Sequence, residues 1–151
     1  MNLVEKYIRE CDCLEIQDLK KQLEYCDEVA VKENDSEYKD LTYFAFSKAI
    51  NNKYLFSHGW DNTAMIYPRN RVVWMPSLWE LDRELGESVG YSFGDARVSY
   101  YENITKMDME GQLYYVAVFK DSHDMHICSG GGYSPFLARI QLLKIIIKRE
   151  R

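Results

Sequence analysis

The sequence predicts an α+β domain, an antiparallel or mixed sheet of about three to five strands packed with helices and ending in a long C-terminal helix. Three observations predict it. Gln112 to Phe119 is an almost unbroken run of β-branched and aromatic residues, the composition of a central strand covered on both faces. Ser134-Pro135 then opens a segment in which Phe136, Leu137, Ile140, Leu143 and Ile147 recur at helical spacing. With 151 residues and 46% apolar side chains, the chain suits one domain with a real core and would be short for two. Residues 1–151 are thus expected to form a single domain, with 1–39 as a helical N-terminal extension.

From the N-terminus, Leu3 to Ile8 reads as a short amphipathic helix. Ile16 to Cys26 reads as a second, with Leu19 and Leu23 one turn apart and Lys20 and Lys21 on another face. Glu28 to Lys39 is rich in acidic and polar residues, interrupted only by Val29 to Val31, and predicts a solvated loop. Asp40 to Tyr54 predicts a helix: Asp40 can cap it, and Phe44, Ala45, Lys48 and Ala49 mark a stripe at spacings of three and four. His58 to Asn62 is turn-like. Thr63 to Tyr67 and Val72 to Met75, joined by Pro68-Arg69-Asn70-Arg71, predict a β-hairpin with its proline at the turn.

Ser77 and Glu80 have capping-box spacing, and Leu78, Leu81 and Leu85 follow in helical phase, so a helix is expected over Ser77 to Leu85, closed by Gly86 or Gly90. Tyr91 to Asn103 alternates imperfectly, with a turn at Gly94-Asp95. Asp121 and Ser122 break the central strand, Met125 to Cys128 supplies a return strand, and Gly130-Gly131-Gly132 reads as a flexible connection to the last helix. Arg139, Lys144, Lys148 and Arg149 occupy other angles of that helix, and the terminal cations suit its C-terminal dipole.

The net charge of -5, from 24 acidic and 19 basic residues, disfavours nucleic acid and anionic lipid as partners. No apolar run approaches the roughly 20 residues that span a bilayer, and the first ten residues alternate charges, so a cytoplasmic location is expected. Cys11, Cys13, Cys26 and Cys128 fit reduced thiols, and the spacing of the first three does not match a structural zinc site.

Asp121, His123, Asp124, His126 and Cys128 carry metal-competent groups, but on a strand only His126 and Cys128 share a face, and no metal or other cofactor is implied. The same cluster, with His58, is the material of an alternative reading as a small hydrolase or metal-dependent enzyme. Gly130, Gly131 and Gly132 before a helix could offer amides to an anion, without any phosphate-loop pattern around them. The principal binding candidate is the group Trp60, Tyr67, Trp74 and Trp79 with Arg69 and Arg71, since tryptophan and arginine concentrate interface energy. The same residues could equally pack on one face of a sheet. The 12 tyrosines fit both accounts.

Two segments resemble a small phage-encoded αβα-sandwich family that includes the lambdoid protein NinX. Leu41 to Trp60 ("LTYFAFSKAINNKYLFSHGW") is similar to that family's opening helix and glycine-aromatic turn. Val116 to Ile147, with "YSPFLARIQLLKIII", is similar to its ending. The resemblance implies a phage or prophage origin and no catalytic residues. Together with the acidic balance and the absence of a coherent active site, it leads to an expected function: a non-enzymatic accessory protein that binds and modulates a host or phage protein, such as a defence-system inhibitor. Toxin immunity is a further alternative. Nucleic-acid association is another, and would need Arg69, Arg71, Arg97, Arg139, Lys144 and Lys148 in one stripe. Exposed sheet edges add the expectation of a homo-oligomer.

Overall fold

The run around Val116 becomes the middle strand of a sheet because its residues suit a pleated surface covered on both sides. In the computed structural model, which describes residues 2–24, 27–40, 45–50, 53–57 and 64–150, strand β10 (Leu113–Lys120) lies between β9 (Tyr100–Met107) and β11 (His126–Gly132), antiparallel to both. Ala117, Val118 and Phe119 are buried. The fold is α+β, with small antiparallel sheets packed against helices and a long helix at the C-terminal end.

The chain forms two compact units. The first contains residues from Ser77 to the C-terminal helix together with the N-terminal helix up to Glu10. Helix α4 (Pro135–Glu150) packs on β10 and β11 and buries Leu137, Ala138, Ile140, Leu142, Leu143, Ile146 and Ile147. Helix α3 (Leu78–Gly86) packs against α4 through Leu81 and Leu85. Its expected capping box is present: Glu80 N donates to Ser77 Oγ at 3.1 Å, and Ser77 N donates to Glu80 Oε1 at 3.1 Å. Helix α1 (Leu3–Cys11) contributes Tyr7, whose ring lies 5.0 Å from that of Phe136, and Glu10, which accepts from Lys144 Nζ at 2.6 Å. A small hairpin of β7 (Ser92–Phe93) and β8 (Ala96–Arg97) turns at Gly94, whose φ of 61° suits glycine.

The second unit, Cys11–Pro76, departs from several sequence expectations. The solvated loop expected over Glu28–Lys39 is instead β1 (Val29–Lys32), a turn, and β2 (Tyr38–Asp40). The short apolar interruption is the reason: Val29, Ala30 and Val31 are fully buried because β1 is central, pairing with β2 on one side and with β6 (Val72–Trp74) on the other. Among the described residues up to 39, the helical ones are those of α1 and α2 (Leu14–Gln17), and the helix expected over Ile16–Cys26 stops at Asp18. Cys26 lies outside the described residues.

The helix expected over Asp40–Tyr54 is also replaced, by β3 (Ala45–Ile50) and β4 (Lys53–Ser57), which pair antiparallel. Spacings of three and four do not arbitrate in so short an apolar segment, and its aromatic content suits strands, of which β4 pairs on both sides. The hairpin expected over residues 63–75 supplies two strands that do not pair. β5 (Ala64–Pro68) pairs with β4, whereas β6 joins β1, so the single turn of 3₁₀ helix over Arg69–Arg71 carries the chain from one sheet to another. Among the described residues, no helix is long and apolar enough to cross a membrane.

Candidate binding surface

Residues 107–113 close the β9–β10 hairpin, and their backbone is held from within. Asp108 N donates to Gln112 O at 2.8 Å, and the Asp108 carboxylate accepts from Glu110 N at 2.9 Å and Gln112 N at 2.8 Å. Gly111 takes a φ of 83°, which the turn requires. These backbone donors, that of Gln112 first, hold the Asp108 carboxyl below its ordinary range. The Tyr133 hydroxyl also hydrogen-bonds Asp108, an acceptor that raises the phenol's own pKa.

This rigid turn presents apolar side chains to solvent. Met107 is 67% exposed and Leu113, directly opposite it, 46%, while Met109 at the tip is fully exposed. Tyr133 is 41% exposed and meets Tyr114 edge-on at 5.1 Å. The neighbouring strand makes room for Tyr114, since a Cβ at Gly131 would collide with the tyrosine hydroxyl. Strand alternation puts Met107 and Leu113 on one face of the sheet and Tyr114 on the other, so the contact surface is the methionine and leucine tip, adaptable through its thioethers.

The candidates named from sequence lie elsewhere. Trp74 is a core residue, 3% exposed, so its expected role as a partner contact is corrected to packing; its indole Nε1 is buried and finds no hydrogen-bond partner among the described residues. Arg69 is half-buried and its guanidinium is held by its own unit. Nη1 donates to Val72 O at 2.6 Å, and Nη2 donates to Lys20 O at 2.9 Å and to Gln17 Oε1 at 3.1 Å, with desolvation lowering its pKa. Gln17 completes this centre: its Nε2 donates to Cys11 O at 2.8 Å and Trp74 O at 3.0 Å, and its Oε1 also accepts from Trp74 N at 2.8 Å. Arg71 is exposed, donates to Lys32 O at 3.1 Å and stands over the half-buried Tyr67 ring at 5.5 Å. Trp79, 67% exposed, belongs to the other unit, where Arg83 covers its ring at 4.7 Å. Trp60 and His58 lie outside the described residues.

Gly130, Gly131 and Gly132 are not a connection before the helix but the second half of β11. Gly130 and Gly132 are small because α4 lies on the strand, and Gly131, on the other face, because Tyr114 does. A Cβ at Gly130 would come within 2.8 Å of Gln141 Cβ and would run into Ala138 O and Leu142 N; one at Gly132 would come within 2.8 Å of Leu137 Cβ. Their amides belong to a sheet, which corrects their expected role as an anion cradle.

The His/Asp/Cys cluster is also divided. Cys128 is buried, and desolvation pushes its thiol pKa up, away from the thiolate that nucleophilic chemistry uses. His126 is exposed and hydrogen-bonded to Ser129 Oγ at 2.9 Å, while Asp121 caps the turn by accepting from His123 N and Met125 N. Among the described residues, no three His, Cys, Asp or Glu side chains converge on a metal position. A cavity of about 740 Å³ in the second unit is lined by Asp12, Cys13, Gln17, Asp18, Lys21 and Arg69 among others, and none of the described histidines reaches it.

Sequence reasoning missed Met107, Met109, Leu113 and Tyr133. The available signal was the flanking of Asp108 and Gly111, a turn pair, by two methionines and a leucine where polar residues are usual. In comparisons with known proteins, no family model matches the chain, and no curated protein or solved structure matches it.

Proposed function

We propose that this protein is a non-enzymatic binding protein, a phage or mobile-element accessory that engages and modulates a host protein in the bacterial cytoplasm. The observation that carries the reading is the hairpin tip, where Met107, Met109 and Leu113 stand exposed on a turn fixed by Asp108. A surface already held in shape costs little conformational entropy on binding, and apolar side chains around Met109 gain most from being covered. The phage attribution draws its support from the resemblance of Leu41–Trp60 and Val116–Ile147 to the NinX-containing family. Inhibition of a defence component suits a small acidic protein that works by covering a surface.

The test is site-specific photo-crosslinking from position 109 in bacterial lysate, compared with the same chain carrying Leu113→Asp. One defined protein adduct that Leu113→Asp abolishes is the expected result. Adducts spread over abundant proteins and indifferent to Leu113→Asp would refute this surface.

A further inference from the structure

A second feature of the same sheet goes beyond a host partner and needs no other protein. Among the described residues, β9 pairs only with β10, so its outer edge is unpaired along all eight residues. The hairpin fixes which backbone groups face outward. Asp108 N donates to Gln112 O, and hydrogen-bonded pairs alternate along an antiparallel ladder, so Lys106, Ile104 and Glu102 exchange bonds with Tyr114, Val116 and Val118. Tyr101, Asn103, Thr105 and Met107 therefore turn their N–H and C=O groups to the free edge.

We infer that β9 pairs antiparallel with β9 of a second copy, about a two-fold axis passing between the two Ile104 side chains. Only registers that match odd-numbered residues with odd-numbered residues satisfy the backbone. Of these, the one that places Asn103 opposite Thr105 and Tyr101 opposite Met107 also sets Glu102 of each chain opposite Lys106 of the other, with Ile104 against Ile104 between them. Sliding one strand two residues in one direction faces Ile104 with Glu102 and leaves Lys106 beside Tyr100. Sliding it in the other puts Glu102 against Asp108, two like charges. Lysine on an edge strand ordinarily discourages pairing; here its position makes one pairing complementary to itself. The two three-stranded sheets become one continuous sheet of six.

Sedimentation velocity of the full chain across micromolar concentrations tests this. The wild type should reach twice the mass of one chain. Glu102 also holds Lys120 of its own chain at 2.9 Å and is left in place; Lys106→Glu, which sets like charges opposite twice, should weaken association by about tenfold or more. Thr105→Pro removes only an outward N–H and should give a folded monomer, with folding checked by circular dichroism. A wild type that remains a single chain overturns the proposal, as does a dimer indifferent to both Lys106→Glu and Thr105→Pro. A dimer that Thr105→Pro abolishes but Lys106→Glu leaves unchanged overturns the register.

Discussion

At Gly130 one missing methyl group allows α4 to rest directly on β11, and the tolerance of that contact is small. Gly130→Ala should destabilise the protein by roughly 2–3 kcal/mol, as overpacking of a well-filled core does, measured by urea denaturation. Gly86, with open space around it, should accept alanine within about 0.5 kcal/mol. Gln17 offers the polar counterpart. Gln17→Leu leaves Trp74 N and the buried end of Arg69 short of an acceptor, and the expected cost is about 1–3 kcal/mol in the same assay. Asp82 supplies a pH dependence. Burial raises its pKa, but hydrogen bonds from Arg139 and Tyr101 outweigh that and leave it below the ordinary value. A depressed folded-state pKa contributes stability that is present above the unfolded pKa and is lost as pH falls through the folded one. Asp82→Asn should therefore lower the melting temperature at neutral pH and flatten its decline in acid, read by thermal denaturation across that range.

Elements differ in how plainly their residues announce them. Helix α3 was legible because Ser77 and Glu80 cap it reciprocally, and removing that device with Ser77→Ala should cost about 1 kcal/mol. β10 and α4 were legible because local composition and tertiary burial agree along their whole length. β3 and β4 were not: in their short apolar segment helical spacing coincides with strand-favouring side chains, and only pairing with β5 decides. The residues 63–75 show a different limit. Both strands could be read, but their partners could not, because β5 turns back on the preceding β4 while β6 joins β1, distant in sequence. The same limit misplaced Trp74 as a binding residue: its buried place depends on β1, whose own three buried residues look like a brief interruption in a polar stretch.

At the scale of the whole molecule, the chain's arrangement in two units bears on how it is made. The first unit is discontinuous: Tyr7 of α1 packs on Phe136 of α4, and Glu10 is bonded to Lys144. On the ribosome, synthesis at roughly 5–20 residues per second separates those partners by on the order of ten seconds. Throughout that interval the apolar side of α1 has no α4 to cover it, while Cys11–Pro76 emerges as an uninterrupted stretch. Helix α1 thus waits for α4, whose first turn brings Phe136 to Tyr7 and whose middle brings Lys144 to Glu10, and the unit closes only when nearly the whole chain has been made.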